Sequence, residues 1–524
     1  MIAQKKLLPW IINDVPNYLD IVLVLLISTI AAIGVISVAG VYDNVDALLY
    51  LSSGLSLLQD GMEAPDKLSY DLFSNGVAPG ENGLTYPNML YQILAAAFSK
   101  YVYGVTQPSA LCILSCMTTA ICNVFLYYLC RLKLNRPHSV LVIAILNCMP
   151  VLYLFAFSMV RPLSDCWLMC LLSIIALIAI RKPLLYTVPL IVIGFFMRAQ
   201  LMLFMAFIPI LSPQKTKKET LWYFLLSGVG IVVFSKIPRL FFNLESSSDS
   251  SISFYKKVFY DSFQWNEIIN ATMITFSQLL NNPDLKGPLC LLPVLAWCLF
   301  HKSATDSSKR MCIFALFIWL ATLFFCVITT MGSMLCPSRY FIYAMPFSMI
   351  GVAYTFNDVY APQFKKSPRL LKGVLFALAV FFLIYFLPHE PRFHFNKRIK
   401  VESIAKLKQL DFNIEDVPVK ILPDNTVGVS GIPIFCRIYA LWGVRKIVQL
   451  PDDPKQFILG SNNSKMDYLI FTSGPLDSSS SKEWSDFFLK DHIKDNKGVS
   501  FHKVYSSNNP LTLYTIFKRE ERTL

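Results

Sequence analysis

Apolar residues in this chain come in long runs, and most of the Lys and Arg sit in short polar stretches between them. The runs at 19–40 and 371–387 are long enough, or nearly so, to cross about 30 Å of hydrocarbon as helices. Further runs at 109–130, 140–157, 163–180, 184–211, 221–235, 289–300, 311–330 and 341–356 repeat the pattern. The chain therefore reads as an α-helical polytopic membrane protein. A cleavable signal peptide is not expected, because the first run is long and no small-residue cleavage pattern follows it.

Loop charge orients the runs. Lys5 and Lys6 precede the first and place the N-terminus in the cytoplasm. The polar loop 41–87 holds seven acids and one Lys, and reads as outside. The piece 88–105 is broken by Ser99, Lys100 and two tyrosines. Taking it as an interfacial helix keeps Arg131, Lys133 and Arg136 inside. Run 140–157 goes out and 163–180 returns to Arg181 and Lys182. Run 184–211 begins beside that pair and ends beside Lys215, Lys217 and Lys218, so it must cross an even number of times. It reads as a hairpin of two short helices with Met197, Arg198, Ala199 and Gln200 at its outer tip.

Run 221–235 goes out, 236–286 is an outer loop, and 289–300 returns to Lys302, Lys309 and Arg310. Run 311–330 goes out, 331–340 is an outer turn, and 341–356 returns to Lys365, Lys366, Arg369 and Lys372. The last span, 373–387, ends outside. The expectation is about eleven transmembrane helices in residues 1–388, with 41–108 as a first outer loop carrying interfacial helices. A basic linker with Pro388, Pro391, Arg392, Lys397, Arg398 and Lys400 follows. Residues 389–524 read as a small extracytoplasmic α/β domain, with helices at 401–410 and 482–490. Its strands are expected at 419–422, 446–450, 468–471, 499–504 and 512–517.

Composition agrees: hydrophobic residues make up 55% and charged residues 15%, with a mean hydropathy of +0.50. The net charge of +13 does not imply nucleic acid, because most of the cations sit in short loops between apolar runs. Twelve of the thirteen cysteines fall in or beside apolar runs, with no CxxC and an odd total. They read as small packing residues, with no disulfide framework or zinc site. The six histidines show no ligand pairing; His389 and His394 lie near the outer mouth and read as solvated linker residues. Asn270-Ala271-Thr272 and Asn462-Asn463-Ser464 fit the glycosylation pattern and fall outside, which carries no meaning in a bacterial protein.

Two carboxylates, Asp43 and Asp46, follow the first span directly and precede an amphipathic stretch ending at Gly61. Three residues apart, they share a face if the helix begins that early, and either could instead cap it. Tyr50 lies four residues beyond Asp46, and Tyr86-Pro87-Asn88 opens the piece read as interfacial. These segments resemble the opening of the GT-C superfamily of membrane glycosyltransferases. Asp46 matches that pattern's acid and Tyr50 its aromatic, and 84–91 is similar to the Tyr/His-Pro-Pro segment. Asn88 replaces the usual second Pro, and the common Asp-Glu pair is absent.

The resemblance covers residues 19 to about 387. It implies an enzyme that moves a sugar, hexose or pentose, from a polyprenyl-phosphate carrier to a lipid or glycan acceptor of the cell envelope. It also implies a bacterial inner membrane with the reaction on its outer face. Asp46 would be the general base, supported or replaced by Asp43, and Tyr50 and Tyr86 would line the cavity. The donor carries its own leaving group, so one displacement that inverts the anomeric centre needs a single base.

Phosphate calls for cations on the outer side. Candidates are Arg339, with Tyr340 beside it, Arg198 at the hairpin tip, Arg161 before Pro162, and Lys236 and Arg239. Each could equally be an interfacial anchor snorkelling to headgroups. No cofactor is demanded; the outer acids could hold a divalent cation, but no ligand spacing requires it. Two other readings stand beside this one: an O-antigen-type polymerase or ligase, and a transporter or flippase of lipid-linked glycans.

Overall fold

The computed structural model describes residues 18–39, 51, 54–55, 58, 68–69, 89–103, 108–148, 164–198, 201–213, 215–242, 265–281, 289–331, 338–364, 419–430, 444, 446–451, 454–459, 463–473, 490–506 and 513–520. The described residues up to 364 are mostly helical, with one two-residue strand at 68–69, and the other described strands lie after 425. The helices are α1 Tyr18–Ala39, α2 Met89–Ala97, α3 Pro108–Arg131, α4 Arg136–Cys148, α5 Ser164–Arg181 and α6 Val188–Met197. They continue with α7 Leu201–Met205, α8 Lys217–Phe242, α9 Trp265–Asn281, α10 Leu291–Phe300, α11 Asp306–Met331 and α12 Ala344–Phe364. Short 3-10 turns at Leu184–Thr187, Ile208–Ile210 and Ser338–Tyr343 lead into or out of them.

The expected basic loops gather at one end of the bundle. Asp20, at the start of α1, accepts from Tyr127 Oη at 2.6 Å and from Arg136 Nε at 2.8 Å. Lys133, between α3 and α4, donates to Asp358 Oδ2 near the end of α12 and to Ser308 in the first turn of α11. Tyr354 donates to the Leu129 carbonyl. The expected hairpin at 184–211 also returns to its starting level. Tyr223, in the second turn of α8, donates to the Leu184 carbonyl at 2.6 Å. Thr216 and Glu219 start α8 as a reciprocal cap, each backbone N–H meeting the other's side chain at 2.8 and 3.1 Å.

Small polar residues let the helices approach closely. Ser115 Oγ lies 3.4 Å from Cys166 Sγ, and Cys122 Sγ lies 3.8 Å from Ser173 Oγ, so α3 and α5 run side by side in the same direction. Asn123 on α3 ties α1 and α4 together, donating to Ser28 Oγ at 2.8 Å and Asn147 Oδ1 at 2.9 Å. Outward faces are apolar. Leu19, Val22 and Leu26 of α1 and Trp222, Phe224 and Val229 of α8 are exposed, an arrangement suited to lipid. Among the described residues, Ala110–Arg131 and Asp306–Val327 are long and apolar enough to cross a membrane, while Tyr18–Ala32, Leu184–Met197 and Leu291–Phe300 are shorter apolar helices.

Some segments differ from expectation. The stretch read as an outer loop at 236–286 holds the end of α8 and all of α9. Helix α9 forms because Ala271, Thr275 and Leu279 recur every four residues and make one buried stripe. The strand expected at 419–422 is irregular backbone that leads into a turn at 423–424. Pro423 follows Leu422 and breaks the ladder, and Asn425 Oδ1 accepts from the Leu422 N–H at 2.7 Å.

The sheet has seven strands in the order β1-β3-β2-β4-β7-β6-β5: β1 Leu68–Ser69, β2 Thr426–Val429, β3 Lys446–Gln449, β4 Tyr468–Ser473, β5 His492–Lys494, β6 Ser500–Ser506 and β7 Leu513–Arg519. The first four of that order are parallel, and β4-β7-β6-β5 are antiparallel. Strand β1 comes from the stretch 41–108, with Leu68 opposite Val448 and Ser69 opposite Gln449. Short helix α13, Pro454–Leu459, follows β3, and Phe457 packs with Met466, Leu469, Phe471, Phe501 and Phe517. Gly428 is required in β2, since a methyl there would lie 2.7 Å from Met466 Sδ. The expected helices at 401–410 and 482–490 fall outside the described residues, save Lys490, which is not helical.

Candidate functional site

At the bundle end away from the Lys133 clasp, the hairpin breaks at Arg198. Its backbone is extended, with φ −165° and ψ 124°; its N–H still bonds the Gly194 carbonyl at 2.8 Å, and its own carbonyl accepts from Leu201 at 3.1 Å. Gly194 permits the reversal: a methyl there would sit 2.3 Å from Cδ2 of both Leu171 and Leu201.

The Arg198 side chain, expected at the outer tip of the hairpin, is folded inward. It is 3% exposed, and its Nη2 lies 3.0 Å from Oδ1 of Asp165, which is equally buried. Tyr343, from the 3-10 turn before α12, donates to the same Asp165 oxygen. The guanidinium carbon stands 5.7 Å over the Tyr340 ring, and the Tyr343 ring lies 5.3 Å from that of Phe204. Three elements thus converge: the first turn of α5, the break between α6 and α7, and the entry to α12. A buried pair this tightly bonded fixes the guanidinium plane, so Arg198 is not a side chain snorkelling to headgroups.

A second cluster links this pair to the first outer loop. Leu51 packs with Tyr91, Ala95, Leu111, Leu114 and Met197, with Trp167 against them. Met197 is the residue before Arg198, Trp167 follows Asp165 by two, and Leu51 follows Tyr50 by one. The Tyr91 and Trp167 rings meet edge to face at 6.4 Å. The Trp167 indole N–H is buried and has no hydrogen-bond partner among the described residues. Gly54 lets the backbone at that position lie close on α2, because a methyl there would be 2.1 Å from the Gln92 carbonyl oxygen.

Of the candidates drawn from sequence, Arg198 and Tyr340 come together here. Arg339 lies in the same 3-10 turn as Tyr340 and Tyr343, with its side chain outside what the structure describes. Asp43, Asp46, Tyr50, Tyr86 and Arg161 fall outside the described residues, as do the side chains of Lys236 and Arg239. Sequence reasoning missed Asp165 and Tyr343. The available signal was an acid in the first turn of an otherwise apolar helix, which at membrane depth marks a functional group by default. Among the described residues, no group of three or more His, Cys, Asp or Glu could hold a metal ion.

No protein-family model matches the chain, and no curated protein matches it by sequence. Two solved structures of an oligosaccharyltransferase from Archaeoglobus fulgidus are similar to it. One, tethered to an acceptor peptide, covers 93% of this chain and 76% of its own at 11% identity and a TM-score of 0.42. The other, in the apo form, covers 93% and 75% at 10% identity and a TM-score of 0.36. Likeness so faint shows neither activity nor substrate.

Proposed function

We propose that this chain is a multi-pass membrane glycosyltransferase of GT-C type, with about eleven spans in residues 1–388 and an extracytoplasmic α/β domain in 389–524. It moves a sugar from a polyprenyl-phosphate carrier to a cell-envelope acceptor at the outer face of a bacterial inner membrane. One observation carries the reading: a buried, oriented guanidinium, Arg198, stands one residue from a packed cluster that includes Leu51. Asp46 is five residues from Leu51, so the chain holds the two Cα atoms within about 18 Å of each other.

In this reading Asp46 takes the proton of the acceptor hydroxyl, with Asp43 supporting it. Arg198, held by Asp165, stabilises charge that develops on the departing phosphate. Tyr340 supplies a ring under the guanidinium, Arg339 a second cation, and Tyr50, Tyr86 and Arg161 line the donor's approach. Bond formation to the acceptor oxygen and loss of the lipid phosphate occur in one inverting step.

Sugar transfer from a polyprenyl-linked donor, measured in purified protein in liposomes, tests this. Asp46→Asn is expected to abolish turnover while leaving the thermal midpoint unchanged; full turnover in that variant sinks the role of Asp46. The helix break at Arg198 also favours a second reading, a flippase of lipid-linked glycans, since transporters use interrupted helices near their sites. A fluorescent lipid-linked sugar that changes leaflet without being transferred would select it.

A further inference from the structure

Helix α9 carries three chemically distinct faces. Ala271, Thr275 and Leu279 are buried, and the helix packs along α11. Trp265, Ile269, Met273, Phe276 and Leu280 are between 49% and 69% exposed. At 3.6 residues per turn these five fall within about 80° of one another, as an unbroken apolar stripe down the whole helix. Asn266, Glu267, Asn270, Ser277 and Asn281 are also exposed and lie together on the adjacent face, which holds one exposed apolar residue, Ile274. The stripe carries no charge and ends in a Trp, the residue enriched at membrane boundaries.

Water is a poor neighbour for five large apolar side chains in a row. The helix against which α9 packs also presents large apolar side chains outward, since Leu320 and Phe324 of α11 are exposed as well. An apolar face beside a polar one is the pattern of a helix whose sides meet hydrocarbon and water separately.

We infer that residues 265–281 seat their apolar stripe among the acyl chains of the bilayer, with the polar face turned to water. This rests on the reading of the chain as a membrane protein, but not on its being a transferase. It makes α9 part of the lipid-contacting wall of the bundle rather than a solvent loop, and gives lipid a second boundary beside the long α11.

The test uses the full chain in phosphatidylethanolamine–phosphatidylglycerol liposomes, with the photocrosslinker p-benzoylphenylalanine placed at Ile269, Met273 or Phe276, or on the polar face at Asn270 or Ser277. Phe324 on α11 serves as reference. All six positions are accessible, so the core is left intact, and the yield of folded, monodisperse protein is checked for each. Irradiation is expected to add one phospholipid mass at Ile269, Met273, Phe276 and Phe324, and none at Asn270 or Ser277. A phospholipid adduct at Phe324 alone overturns the inference. So does a crosslinked dimer from the α9 positions, which would mean that a second copy covers the stripe. Absence of adduct at Phe324 as well removes the membrane reading and the inference with it.

Discussion

Asp165 and Arg198 form an ion pair at 3.0 Å with both side chains buried, although 32 residues of chain separate them. Removing one member of a buried pair leaves the other charge desolvated and uncompensated, at a cost of about 3–5 kcal/mol. Asp165→Leu should therefore lower the thermal midpoint sharply in detergent. Asp165→Leu combined with Arg198→Met should recover most of that loss, because no orphan charge remains, yet should not recover sugar transfer. Equal stability of the parent and Asp165→Leu would show that the pair is not closed in the folded protein.

Gly54 sets how closely the first outer loop approaches α2. The methyl of Gly54→Ala would press on the Gln92 main chain, which cannot rotate away, and such overpacking costs about 1–3 kcal/mol. If the loop presents the base, transfer should fall while the thermal midpoint moves by only a few degrees. Unchanged turnover in Gly54→Ala would show that the approach has no bearing on the reaction.

Asn123 joins three helices through Ser28 and Asn147. Hydrogen bonds between membrane helices average less than about 1 kcal/mol each. Asn123→Leu is expected to destabilise by about 1 kcal/mol, read as a modest fall in midpoint with turnover retained. A loss several times larger would mark the network as more than helix adhesion.

At the other end of the bundle, beyond the apolar run 341–356, Asp358 responds to opposing influences. Burial pushes its carboxyl up, and donors from Lys133, Thr305 and Ser308 outweigh that and hold it below the ordinary carboxylate range. A depressed folded-state value means that the clasp stabilises fully above about pH 4 and fades as pH falls through the depressed value. The midpoint difference between the parent and Asp358→Asn should be constant near neutrality and shrink below about pH 4. A difference that grows in acid would reverse the assignment.

Much of the bundle could be read from charge alone. Basic residues at both ends of 184–211 required a return, and Tyr223 bonding the Leu184 carbonyl shows that it occurs. The break at Arg198 was placed correctly, but its burial was not. Sequence places Arg198 near an outer end, whereas its seclusion depends on Asp165 and Tyr343 arriving from other helices. Strands β3, β4, β6 and β7 lie in short runs rich in β-branched and aromatic residues and were expected within a few residues. Strand β2 was not, because Gly428 weakens its signal and is explained only by Met466 and Leu450 crowding it. Helix α9 was hidden by Asn270, Ser277 and Gln278, whose polarity suggested a loop until the buried stripe of Ala271, Thr275 and Leu279 defined its face.

Strand β1 joins Leu68 and Ser69 to Val448 and Gln449, 380 residues further along the chain. A ribosome delivers the first pair long before the second exists, so this contact works as a buckle that fastens only after those 380 residues have been made. Any product truncated ahead of residue 446 lacks the catch.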